Sequence, residues 1–149
     1  MFDLIIKGLI AFGAVYFWAY YLITPKKDRF ICGLIGGFSY CLYLVVLNYM
    51  SLPLATFIAC CLVALLSQIM ARIQKRVVTL YLIPGIFIFV PGTSMYNMAI
   101  SFASQNLHLA SLYLVEAIIL AIMIALAIIS IESVVNLCLK VGIILKGEN

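Results

Sequence analysis

Charge is what this sequence has least of. Asp, Glu, Lys and Arg make up 9% of its residues, and residues 30–71 and 77–115 contain none. Globular chains carry roughly a quarter, so a soluble domain is excluded. Histidine is nearly absent too, with one at position 108. No HExxH, CxxC or phosphate-binding loop is present. An intramembrane enzyme would need paired catalytic groups, so the sequence argues against catalysis, and no cofactor or metal is expected. Basic residues are few, and the net charge of +4 sits in short clusters, so no nucleic-acid partner is expected. The five cysteines (Cys32, Cys41, Cys60, Cys61, Cys138) all fall inside apolar runs, where they read as small apolar residues rather than disulfides or ligands.

What is present in excess is apolar sequence, at 67% of the chain. A spanning helix needs about 20 apolar residues, and each charge-free run holds two. The expected fold is all-α: one polytopic transmembrane domain over residues 1–149, with five spans in the lipid bilayer at about 4–23, 30–48, 54–71, 79–102 and 112–139. The first run lacks a basic start and a small-residue cleavage site, so it reads as a helix and not as a cleaved signal. Lys26, Lys27 and Arg29 follow the first span, Arg72, Lys75 and Arg76 the third, and Lys140 and Lys146 the fifth. Loops 48–53 and 103–111 carry no basic residue. Basic loops stay in the cytoplasm, which predicts a multi-pass protein of the plasma (inner) membrane, N-terminus outside and C-terminus inside. Gly33, Gly36 and Gly37 include a Gly-x-x-x-Gly spacing that permits close helix approach. It serves packing within the chain or a contact between subunits.

The fourth span is unlike the others. Pro84-Gly85 and Pro91-Gly92 interrupt it, and Thr93, Ser94, Tyr96 and Asn97 follow. Proline removes a backbone donor and clashes with the preceding turn, and glycine weakens helix interiors. Two breaks predict an unwound region near mid-membrane, then a half-helix whose free N–H groups and positive dipole end suit a carboxylate. Interrupted helices of this kind form transporter binding sites. The plainer reading is a kink that tunes packing.

Glu116 and Glu132 are the acids inside the expected spans. Their separation puts them roughly 160° apart on a straight helix. Glu116 lies near the outer end of a span starting at 112, where snorkelling accounts for it. Glu132 is deeper, with Asn136 one turn later, and burying its charge is costly. It is the candidate for proton coupling. Gln68 reads as a near-interface residue and His108 as a solvated loop residue.

Pro84, Gly85, Val90, Pro91, Gly92 and Tyr96, preceded by the basic loop 72–76, resemble the threonine/serine exporter family. Its hallmark is a segment of the form PG-hydrophobic-VPG-small-x-x-Tyr. Ile88-Phe89 departs from the Pro-Leu often found there. Length and span number are similar to the family's small membrane subunit of the two-component type. The resemblance implies a secondary exporter of threonine and serine, or of a small dicarboxylate such as succinate, acting with a larger subunit of the same family. The broken-helix reading and the resemblance together make Pro84, Gly85, Pro91, Gly92, Thr93, Ser94, Tyr96 and Asn97 the candidate substrate-binding residues. The competing readings are a non-transporting membrane scaffold or assembly subunit and a homo-oligomeric channel.

Overall fold

The computed structural model describes residues 2–147, with side chains over residues 3–140. Six helices account for the described chain: α1 (Phe2–Tyr21), α2 (Lys26–Leu47), α3 (Leu52–Ile73), α4 (Thr79–Phe87), α5 (Gly92–Ala103) and α6 (Leu107–Gly147). Four are long and apolar enough to cross a membrane, and α4 with α5, bent by 47° at a short break, together form either a fifth, broken span or a re-entrant segment. The protein is a polytopic helical membrane protein.

Helix ends differ from the hydropathy boundaries for local reasons. α2 starts at Lys26 and not at residue 30, because the Pro25 carbonyl begins it: the Asp28 and Arg29 N–H groups donate to that carbonyl at 2.9 and 3.1 Å. Charged residues can occupy the first turn of a helix, and an acid there complements the dipole. α6 starts at Leu107 and not at 112, because Asn106 caps it, its Oδ1 accepting from the Leu109 N–H at 3.3 Å. α6 also runs on past residue 139, so the expected short tail is helical to Gly147; the Lys146 side chain lies outside the described residues. Three helices end on a non-glycine residue of positive φ, namely Ile23, Lys75 and Gln105. The N–H one residue further on returns to the last turn in each case (Thr24 to Ala19, Arg76 to Ala71, Asn106 to Ser101), which satisfies terminal carbonyls.

Two Pro-Gly breaks were expected in the fourth span, and the structure contains one. Pro84 lies inside α4. A proline there leaves the carbonyl four residues earlier without its donor. That carbonyl belongs to Leu80, and the Cys32 thiol of α2 donates to it at 3.5 Å. Gly85 then lets α4 sit close on α3: a Cβ there would fall 2.7 Å from Val63 Cγ1. The break comes at Pro91. Its missing N–H cannot bond to Phe87, and the residue before a proline is driven out of the α region. Phe89 and Val90 instead donate three residues back, to Ile86 and Phe87.

α1 packs along α2, α2 along α3, and α3 against α6, while α4 lies on α1, α2 and α3, and α5 lies on α6. The glycine spacing of α2 faces α1. A Cβ at Gly36 would meet Val15 Cγ2 at 2.5 Å, and one at Gly33 would meet Phe12 Cε2 at 2.8 Å. Those glycines therefore serve packing within the chain. The core runs through Val15, Cys32, Ile35, Cys60, Val63, Tyr81, Phe89 and Ile124. Because the fourth span changes neighbours at its break, a gap opens where the chain leaves α2 and α3 to reach α6.

Candidate functional site

That gap is a cavity of about 430 Å³. Residues 88–91 of the break form one wall, joined by Thr93, Ser94 and Asn97 of α5. Tyr40 and Tyr43 of α2, Leu52 and Thr56 of α3, and Tyr113, Glu116 and Leu120 of α6 complete it. These are the ends of α2, α3 and α6 nearest loops 48–51 and 104–106, so the cavity lies in the half of the bundle opposite the basic loops.

The polar groups come from the break. The N-terminus of α5 has no side-chain cap. Gly92 N–H turns back to the Val90 carbonyl (2.7 Å), and Met95 N–H makes the first helical bond, to Pro91 (3.1 Å). Between them the Thr93 and Ser94 N–H groups find no backbone acceptor among the described residues. Ser94 is 7% exposed, lines the cavity, and its hydroxyl makes no hydrogen bond among the described residues. Thr56 differs: its hydroxyl donates to the Leu52 carbonyl at 2.9 Å, leaving only acceptor capacity. Tyr43 and Phe89 meet edge to face, with centroids 5.7 Å apart. The arrangement is a half-open space with free donors at a positive helix end.

Of the residues singled out in the sequence, Pro91, Thr93, Ser94 and Asn97 line this cavity together. Pro84 and Gly85 are buried in the packing of α4. Gly92 is at the break but does not line the cavity, and a Cβ there would meet nothing within 4 Å. Tyr96 is exposed on the outside of α5. Glu132 lies apart, in a smaller cavity of about 130 Å³ with Gln68 and Thr79. Along α3 and α6, the buried residues Cys60, Val63, Ile124 and Ala127 lie between the two cavities.

Glu116 is where the structure departs most from the sequence reading. With α6 starting at Leu107, it lies about 14 Å along the axis from the helix start, at 1.5 Å per residue. It lines the cavity rather than sitting in the first turn of the helix. The spacing Tyr113, Glu116, Leu120 marks one helix face, and an acid at that depth was the available signal. Tyr40, Tyr43 and Thr56 gave no sign of their role, since aromatic and threonine residues are common in such helices.

A second polar cluster joins residues far apart in the sequence. Asp28, 3% exposed, accepts a 2.7 Å hydrogen bond from the hydroxyl of Tyr81, which is fully buried. Arg76 Nε lies 3.7 Å from its other oxygen. Next to it, Arg29 Nε donates to the Thr24 carbonyl at 2.5 Å and its guanidinium covers the Tyr20 ring at 4.6 Å. In the sequence Asp28 sits among the basic residues Lys26, Lys27 and Arg29. It ties the start of α2 to α4 at the end of the bundle that holds the basic loops.

Four continuous apolar helices and one bent pair, broken beside a polar cavity, define a polytopic helical membrane protein. The family described as "Threonine/Serine exporter, ThrE" matches residues 7–134. The chain belongs to this family. The matched region takes in the break, the cavity and the Asp28–Tyr81 pair. Neither a curated protein nor a solved structure gives a match.

Proposed function

We propose that this chain is a subunit of a secondary exporter of small carboxylate-bearing metabolites, threonine and serine first, acting with a larger subunit of the same family. The observation that carries the reading is the uncapped start of α5, whose free Thr93 and Ser94 N–H groups adjoin the cavity. Such a helix end binds a carboxylate, and Ser94, Thr93 and Asn97 add side-chain hydrogen bonds. The cavity volume falls within the roughly 300–1,000 Å³ of small-molecule sites. Pro91 acts by keeping the helix broken. Pro84, Gly85, Gly92 and Tyr96 contribute to the shape of the segment and not to contact with substrate.

Glu132, with Gln68 and Thr79, is the proton-coupling group on the other side of the buried residues that separate the cavities. A five-span unit with one broken helix is half of the repeat-based architecture common in transporters, which supports the larger partner. Flux of labelled threonine, serine and succinate, in liposomes with and without that partner, tests the reading. Threonine and serine flux with both subunits is expected. No flux of any of the three would leave the scaffold, and succinate flux alone would leave a dicarboxylate exporter.

The orientation follows from charge: the basic residues at the α1–α2 and α3–α4 junctions belong in the cytoplasm of a cell with this protein in its plasma membrane. The cavity then lies in the outer half. On a cysteine-free background, a single cysteine at position 106 is expected to react with an impermeant maleimide from outside, and one at 75 only after permeabilisation. The opposite pattern would invert the topology.

A further inference from the structure

Glu116 brings a carboxylate into a cavity whose described lining holds no Lys or Arg. It makes no ion pair or hydrogen bond among the described residues. Lys7 of α1 lines a separate groove that shares Tyr40 and Ile88 with the cavity, and it forms no ion pair with Glu116. The carbonyls of Ile88 and Phe89, at the negative end of α4, also accept no backbone hydrogen bond among the described residues. The cavity therefore holds two complementary features: donors at the start of α5, and unpaired acceptors on α6 and at the end of α4. A carboxylate within an apolar span calls for a cation, and the described protein supplies none there.

We propose that Glu116 reads the ammonium group of the substrate and so selects zwitterionic amino acids over dicarboxylates and over hydroxy acids lacking the amine. The inference rests on the exporter reading, in which the substrate carboxylate lies at the start of α5. The ammonium then pairs with Glu116, and each charge of the zwitterion meets its opposite. A dicarboxylate would place its second carboxylate beside Glu116, and like charges brought together in an interface oppose binding. A des-amino analogue would leave Glu116 unpaired, and sites built to pair a polar group reject analogues that lack it.

Competition against labelled threonine tests this at equilibrium, without requiring turnover. It uses the purified full chain, together with the larger subunit where flux requires it. Threonine, 3-hydroxybutyrate (threonine without its amine) and succinate are the competitors. Wild-type protein is expected to prefer threonine to 3-hydroxybutyrate by about tenfold or more, since a charge-assisted hydrogen bond is worth at least one decade. Because Glu116→Gln weakens threonine, its ratio is read from direct binding of labelled threonine and labelled 3-hydroxybutyrate. That ratio should fall about tenfold while 3-hydroxybutyrate binds as before or better, and succinate should gain. Glu116→Asp should keep the wild-type order. An unchanged ratio in Glu116→Gln overturns the proposal. So does loss of all three ligands in a monodisperse Glu116→Gln protein, because a residue that reads only the amine leaves the analogue's binding intact. Wild-type protein that binds neither threonine nor serine removes the exporter reading and this inference with it.

Discussion

Ser94→Leu is expected to abolish threonine efflux, by at least a hundredfold, while the helices still assemble. Ser94 is buried, yet its hydroxyl has no hydrogen-bond partner among the described residues, and it lines a cavity of about 430 Å³. A leucine there extends into open space, so the overpacking cost of a filled core does not apply. Leucine is also a better helix former than serine. What is lost is the room beside the free N–H groups of α5 and one hydrogen-bond partner. Two comparisons separate these effects. Ser94→Ala removes the hydroxyl alone and should weaken apparent affinity by about 1 kcal/mol, the net worth of one hydrogen bond. Gly92→Ala adds a Cβ that meets nothing within 4 Å and should transport normally. Efflux from proteoliposomes and size-exclusion profiles report the two properties. Wild-type efflux from Ser94→Leu would remove the cavity from the transport path.

The second large effect is on stability. Tyr81→Phe should destabilise the protein by about 3 kcal/mol, because a buried charge that loses its hydrogen-bond donor keeps its full desolvation cost. Asp28 and Tyr81 are both enclosed and their bond is 2.7 Å. Arg76 offers little compensation. Its side chain is 54% exposed and lies 3.7 Å from the carboxylate, and exposed ion pairs contribute roughly 0–1 kcal/mol. Arg76→Ala should accordingly cost much less than Tyr81→Phe. The double change Asp28→Leu with Tyr81→Phe replaces both polar partners and should recover much of the loss, as apolar replacement of a buried polar pair often does. Unfolding in mixed micelles by titration with a denaturing detergent measures all four proteins. Equal stability of Tyr81→Phe and wild type would show that the pair contributes nothing.

The sequence by itself determined the membrane class, the four continuous apolar helices and Pro91 as one of two candidate breaks. Each depends on terms that act within a turn or two: the cost of charge in lipid over residues 30–71 and 77–115, and the missing donor of Pro91. It also singled out four residues that share the cavity, because Pro91, Thr93, Ser94 and Asn97 are neighbours along one chain segment. Tertiary structure decided everything that depended on a partner from another helix. Pro84 keeps its helix because Cys32, 48 residues earlier, donates to the stranded carbonyl. Asp28 is enclosed because Tyr81, 53 residues later, reaches it. Glu116 belongs to the cavity because the chain crosses from α2 and α3 to α6 at the break, and no local preference encodes that crossing. Backbone and side-chain polar groups in lipid must find partners inside the protein, so which helices meet decides which polar residues are merely structural and which face an open space.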